Sequence, residues 1–331
     1  MGDLKNLFQK YLNPVLVKLS EVQSTQVRGF SAQTKVAEQT QFLTGQIASF
    51  QVRQLATLPT LADAEFRVTS QWGEDGIIEW LVHNLPDINR SFVEFGVENY
   101  AEANTRFLLQ NRGWRGLVMD GNAAHMEHVR RQTIHWKFDL VARSAFITAE
   151  NINELITTDG FDGELGILSI DIDGNDYWVL QAIDCVRPAI LIVEINGVFG
   201  DRHAISVPYD PAFDRLKAHH SGQYFGASLK AITQLAAEKG FTFIGTNTNG
   251  VNAFFVRDDL AGNIVSCIDE IKAWPARHRD SRDAAGKLSY TRGDAKAELI
   301  KSMPVCDIES GKQVTLESLY PLYSKKWAQE I

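Results

Sequence analysis

Four apolar, β-branched runs in this chain end in acidic or amide side chains: Glu94-Phe95-Gly96, Asp120-Gly121-Asn122, Asp171-Ile172-Asp173-Gly174-Asn175-Asp176 and Glu194-Ile195-Asn196. In open α/β sheets, ligands bind beyond the carboxyl ends of the strands, where strand order reverses. An acidic residue at the end of a second strand, the place Asp120 would hold, can accept hydrogen bonds from both hydroxyls of a ribose. Gly96 permits a tight turn or close approach of a ligand to the backbone. Glu94, Gly96, Asp120, Gly121 and Asn122 are therefore candidate contacts to a nucleoside-containing cofactor.

The third and fourth run ends carry a different chemistry. Asp171 and Asp173 alternate with isoleucines, which puts both on one face if the strand runs that far. Glu194 and Asn196, at an adjacent strand end, would bring four oxygen-bearing groups together. Hard divalent cations such as Mg2+ take oxygen ligands of this kind, so Asp171, Asp173, Glu194 and Asn196 form a candidate Mg2+ site. Without a metal, the same group offers a base and hydrogen-bonding partners for a substrate. Asp173-Gly174 also reads as a turn and Asp176 as a helix cap. A calcium loop would need a closing Glu that is missing here.

His203, His219 and His220 follow the fourth run, and a histidine titrates close enough to neutrality to serve as general base. His203 and His220 join Asp171 and Asp173 as catalytic candidates. Tyr209-Asp210 and Tyr224-Phe225-Gly226 are candidate pocket-lining segments. Arg277, His278, Arg279 and Arg282 form a basic run suited to a phosphate or carboxylate, or to a solvated face.

These residues need a framework to bring them together, and the pattern supplies one. From about residue 90, strand-like and helix-like segments alternate, which implies a mainly parallel sheet covered on both faces. The expected strands are Ser91–Val97, Gly116–Asp120, Ile134–Leu140, Leu165–Asp173 and Pro188–Asn196. The expected helices are Ala103–Gln110, Ala123–Gln132, Glu150–Thr157, Asp176–Ile183 and Ser228–Lys239. Phe241–Thr246 and Val251–Arg257 flank Asn247-Thr248-Asn249-Gly250, a hairpin signal. An antiparallel hairpin closing a parallel doubly wound sheet marks the methyltransferase variant of that fold.

Residues 1–65 are rich in Gln, Ser and Thr, and Leu12, Val15, Leu19 and Val22, then Leu43, Ile47 and Phe50, follow helical spacing. Two helices with a narrow apolar stripe are expected, packing on the main domain or serving homo-oligomer contacts. The expected domains are thus a helical extension (1–65), a cofactor-binding domain (66–262) and a C-terminal extension (263–331) acting as lid or wrap.

Composition narrows the function classes. Apolar residues make up 44% and charged ones 22%, ordinary for a globular protein. A formal net charge of -8 argues against nucleic-acid binding as the main task. Cys185, Cys267 and Cys306 form no CxxC or zinc spacing. No apolar run has the length of a membrane span or of a signal peptide's core, so a cytoplasmic protein without a membrane span is expected.

Four segments, in order, resemble the FkbM-type methyltransferases: Ser70-Gln71-Trp72-Gly73-Glu74-Asp75, Phe92-Val93-Glu94-Phe95-Gly96, Gly113-Trp114-Arg115-Gly116-Leu117-Val118-Met119-Asp120 and Ser169-Ile170-Asp171-Ile172-Asp173-Gly174. The resemblance spans about residues 68–200. It implies a seven-stranded class I methyltransferase sheet, S-adenosylmethionine as cofactor, and O-methylation of a saccharide or saccharide-linked group in surface polysaccharides or natural products. By position, Glu94 and Gly96 would flank the methionine moiety, Asp120 the ribose, and Asp171 and Asp173 the transferred methyl. Gln71 and Asp75 would help close the cofactor site. The sequence departs from the family's glycine-rich turn after the first strand, with Gly96-Val97-Glu98-Asn99-Tyr100 in its place.

Two other classes compete: a nicotinamide-dependent sugar oxidoreductase, disfavoured by the absence of GxGxxG after the first strand, and a non-catalytic scaffold of a polysaccharide-synthesis complex.

Overall fold

The computed structural model describes residues 13–330. Asn13–Val52 form one helix of 40 residues where two were expected. No proline interrupts the segment after Pro14, and Pro14 itself sits in the first turn, where a missing N–H costs nothing. Leu12 lies outside the described residues, as do the side chains of Val15, Leu19 and Val22. Leu43, Ile47 and Phe50 are exposed.

The chain divides between Ala48 and Ser49. Residues 49–65 therefore belong to the larger unit, where Leu58, Leu61 and Ala64 are buried and the Ser49 hydroxyl donates to Glu79 at 2.6 Å. The segment after residue 263 is part of the same unit. Ala297, Ile300, Val305, Leu316 and Leu322 share one apolar cluster with Val198, Phe199 and Ile205. No helix among the described residues is long and apolar enough to cross a membrane.

The strands are β1 (Ser91–Phe95), β2 (Arg115–Asp120), β3 (Leu140–Ser144), β4 (Gly163–Ile170), β5 (Val186–Glu194), β6 (Ile205–Ser206), β7 (Phe241–Thr246), β8 (Asn252–Arg257), β9 (Pro304–Asp307) and β10 (Lys312–Thr315). Seven form a sheet in the order β3-β2-β1-β4-β5-β8-β7. β1 to β5 run parallel, and β8 is antiparallel to both β5 and β7. A second sheet, β10-β9-β6, is antiparallel and ties the C-terminal segment to the chain leaving β5.

One strand differs from the sequence expectation. Ile134, Trp136 and Phe138 alternate as a strand would, yet Thr133–Lys137 is a single helical turn and β3 starts at Leu140. Pairing decides this: β2 opposes β3 from Gly116–Leu140 onward, so the chain must first return across the sheet edge. Trp136 is left 72% exposed.

Alternation within the strands sends side chains to two cores. Phe92, Val118, Ile167, Ile192 and Phe254 pack on one face, and Val93, Met119, Leu168, Leu191 and Phe255 on the other. Each such side chain contributes about 1.5–3 kcal/mol by leaving water. From β1 the chain winds outward to β2 and β3, then returns to β4 on the other side of β1. The topological switch point, where doubly wound sheets open a crevice, therefore lies between β1 and β4.

Candidate active site

A cavity of about 590 Å³ opens at that switch point. Glu94, at the end of β1, lines it. Its carboxylate accepts the N–H groups of Asn104 at 2.7 Å and Thr105 at 3.1 Å, and the Thr105 hydroxyl. These bonds anchor the residues that open the helix Arg106–Arg112. Burial pushes the Glu94 carboxyl up to about 7, against the pull of those hydrogen bonds. Gln71 also lines the cavity. Asp75 does not: its carboxylate accepts the N–H groups of Val68, Thr69 and Ser70 at 2.7–2.8 Å. Asp75 thus shapes the turn that presents Gln71, one step removed from the expected cofactor contact.

The loop after β1 crosses directly over the loop after β4. Gly96 has φ +71°, and a Cβ there would lie 1.6 Å from the Asp171 carbonyl oxygen. The glycine serves the close approach of two loops and still lines both cavities. Glu98, Tyr100 and Asp173, at φ 47°, 58° and 57°, occupy the left-handed region without being glycine. Such strain persists only where surrounding structure holds it, and it concentrates at functional sites. In place of further glycines, Asp120 holds this loop: its carboxylate accepts the Glu98 N–H at 2.8 Å and the Asn122 N–H at 2.7 Å. Asp120 and Gly121 line a second cavity of about 160 Å³, which shares Gly96, Glu98, Asp171 and Asp173 with the larger one. Asn122 instead caps the helix Ala123–Arg131 through Ala124 N–H at 2.9 Å.

Three carboxylates meet in the floor of the larger cavity. Oxygens of Asp171, Asp173 and Glu194 lie within 4.8 Å of one another. They do so by a route other than strand alternation. β4 ends at Ile170, and the left-handed Asp173 is placed by the turn that Asp176 builds, accepting the N–H groups of Ile172 at 2.8 Å and Gly174 at 3.0 Å. Burial, then the charge of Asp173, raises the Asp171 carboxyl well above the usual carboxylate range. Burial, then Asp171, does the same to Glu194, whose Oε2 is buried without a hydrogen-bond partner.

Asn196 is not part of this group. Its amide donates to the carbonyls of Gln223 and Phe225, both at 2.9 Å, and its oxygen accepts Val198 N–H at 2.9 Å. Asn196 lines neither cavity and spends its amide on these backbone groups, which sets it apart from the three carboxylates of the expected ligand set. The proposed histidines are also elsewhere. His220 is exposed and stacks on His219 at 4.4 Å between ring centroids. His203 sits beside the start of β6, where its carbonyl accepts the Ser228 hydroxyl at 2.7 Å. Neither lines the cavity. Tyr209 turns away too, donating to Glu150 at 2.6 Å, whereas Phe225 does line the cavity.

The side chains that replace them come from two segments with no strong sequence pattern. Arg215 reaches in from the short helix Arg215–Ala218. His278, Arg279, Asp280 and Leu288 come from an irregular strap that crosses the cleft. Burial, then the Lys296 charge, pushes His278 down to about 4, so its ring is neutral at pH 7. The basic run held the signal, but nothing in it showed that the strap lies over the strand ends.

The order β3-β2-β1-β4-β5-β8-β7, with β8 antiparallel, is the class I methyltransferase fold. Several solved structures are similar. The O-methyltransferase from Bacillus cereus in complex with SAH shares 17% identity over 63% of this chain and 90% of its own, at a TM-score of 0.38. The N-terminal domain of EvdMO1 with SAH bound shares 11% over 63% of this chain and 93% of its own, at 0.37. An S-adenosylmethionine-dependent methyltransferase from Clostridium acetobutylicum shares 9% over 56% of this chain and 90% of its own, at 0.36. No family model and no curated protein matches the chain.

Proposed function

We propose that this protein is an S-adenosylmethionine-dependent O-methyltransferase of the FkbM type, acting on a hydroxyl of a saccharide or saccharide-linked group. One observation carries the reading: two joined cavities at the switch point are lined by Glu94, Asp120 and the Asp171–Glu194 pair, the acidic ends of four adjacent parallel strands.

The lining fits the cofactor. Glu98, Glu102, Asp173 and Asp280 of the lining outnumber Arg215 and Arg279, a field that favours a positively charged ligand. Trp72 Nε1 and Asn252 Oδ1 are buried, lack partners and belong to residues of the lining. Asp120 and Gly121 would hold the ribose end, and Gln71, Glu94 and Gly96 the amino-acid end. When bound, S-adenosylmethionine supplies an electrophilic methyl for in-line displacement.

The protein's own part is to orient an acceptor hydroxyl and remove its proton. Asp171 and Glu194 suit this task. Burial and the charge of Asp173 raise both carboxyls well above the usual carboxylate range, so their affinity for a proton moves toward that of a useful base. His278 is too weakly basic for the role and lines the wall as a neutral donor or acceptor. The strap carrying Leu288 adds an apolar side chain to the cavity wall.

Mg2+ does not fit this donor set well. Asn196 is engaged elsewhere, and Asp173 already holds the Arg215 guanidinium. The reaction is therefore assigned to the carboxylates alone. Saccharide specificity is supported by the motif resemblance.

The decisive assay incubates the protein with methyl-labelled S-adenosylmethionine and a panel of saccharide acceptors. Label recovered as a base-stable methyl ether supports the reading, and transfer to amines or carbon instead sinks its O-methyl part. The exposed Val36, Leu43, Ile47 and Phe50, seven, four and three residues apart on one helix, support a homo-oligomer. Light scattering of wild type against Leu43→Glu would show the mass fall if that is right.

A further inference from the structure

We propose that Arg215 is the built-in cation of the acidic centre, holding Asp173, one of the three carboxylates that a divalent metal would need, and leaving the centre metal-independent. The proposal rests on the geometry of the centre and not on the methyl-transfer reading.

Three carboxylates crowded into a cavity floor need a positive partner. Arg215 is held in that place from four directions. Its helix starts at Asp214, whose carboxylate accepts the N–H groups of Leu216 and Lys217, both at 3.1 Å, fixing the backbone at residue 215. The guanidinium stacks on the Phe225 ring, 3.8 Å from its centroid. Its Nε donates to the Gly222 carbonyl at 2.6 Å. One terminal nitrogen pairs with Asp173, and the other lies 3.3 Å from Asp280 on the strap. The Arg215 side chain is only 18% exposed, although its partners Asp173 and Asp280 are 58% and 50% exposed, so packing and hydrogen bonds rather than charge alone fix its place.

The surrounding charges leave that position to one cation. Asp171 and Asp173 face it from the β4 turn, Glu194 from β5, and Asp280 and His278 from the strap, with Lys296 behind them. A divalent ion would have to displace the guanidinium from Asp173 or sit beside it against like charge. Arg215 touches neither reacting group in this scheme. It is a positioning residue that holds Asp173 outward and, through Asp280, holds the strap down.

The test is metal binding by the full chain, with Mn2+ as the probe. Electron paramagnetic resonance should show free Mn2+ only with wild type, and a bound signal after Arg215→Ala that Mg2+ displaces, a gain in affinity of about tenfold or more. Arg215→Gln keeps a donor for the Gly222 carbonyl without the charge, and serves as the second variant if Arg215→Ala does not fold. Arg215→Lys should exclude Mn2+ as wild type does. Tight Mn2+ binding by wild type, or no gain in either uncharged variant, would overturn the proposal. If the protein proves to be a methyltransferase, wild-type turnover should survive EDTA. Turnover of Arg215→Ala should fall at unchanged cofactor affinity and recover with added guanidinium, which no merely structural loss would do.

Discussion

Gly96 and Asp171 meet backbone against backbone, so closely that a Cβ on residue 96 would lie 1.6 Å from the Asp171 carbonyl oxygen. This contact locks the end of β1 to the end of β4, the two strands between which the cavity opens. Gly96→Ala must both push these loops apart and hold an L-residue at φ +71°. It should lose about 2 kcal/mol or more of stability, and cofactor affinity by a larger factor than Glu98→Ala does. Urea denaturation alongside calorimetry checks both; wild-type binding in a stable Gly96→Ala protein would show that the loop contact does not shape the site.

Glu94 makes stability depend on pH in an unusual sense. Its folded-state pKa of about 7 lies above the ordinary value of 4.5, so the folded protein binds the proton more tightly. The stabilisation is fully present below about pH 4.5 and is lost as pH rises through about 7. At roughly 1.4 kcal/mol per unit this amounts to on the order of 3 kcal/mol between the two limits. Asp75 and Asp176, each pushed up to about 6 by burial, add in the same direction. Unfolding free energy should therefore be greater at pH 5 than at pH 8. Glu94→Gln should shrink that difference; an equal difference in the variant would show that Glu94 does not titrate this way.

The Asp171–Glu194 pair sets a second pH dependence, in turnover. With both carboxyls raised by burial and by the Asp173 charge, the base form appears only above the usual carboxylate range. Removing the Asp173 charge lowers the proton affinity of both. Asp173→Asn should thus move the acid limb of the kcat profile to lower pH. Asp171→Asn should cut kcat by about 10²–10⁴-fold, with cofactor binding preserved to a much greater degree. An unmoved acid limb in Asp173→Asn would remove the pair from the chemistry.

The two histidines offered by the sequence supply a control. His203 and His220 lie outside the cavity lining, so His203→Ala and His220→Ala should keep turnover within about threefold of wild type. A collapse of kcat in a well-folded His220→Ala protein would contradict the site as drawn.

The strand ends were readable because apolar runs and acidic punctuation are local features. Glu94, Asp120, Asp171 and Glu194 all line the two cavities at the strand ends. What failed required tertiary knowledge. Ile134, Trp136 and Phe138 alternate like a strand, but pairing with Gly116 begins only at Leu140. Asn196 has a ligand's chemistry but spends it on Gln223, Phe225 and Val198. Arg215 and His278 reach the site across 42 and 105 residues from Asp173, through segments whose course is set by packing rather than by any period. Histidines near a strand end in sequence proved a poorer guide than a basic run far from it.

Titration calorimetry with S-adenosylhomocysteine shows whether these joined cavities take S-adenosylmethionine. Saturable one-to-one binding in the micromolar range is expected, weakened by about tenfold or more in Asp120→Ala, where a bidentate ribose contact is lost. Absence of heat at millimolar ligand with folded wild-type protein, or equal binding by Asp120→Ala, would contradict it.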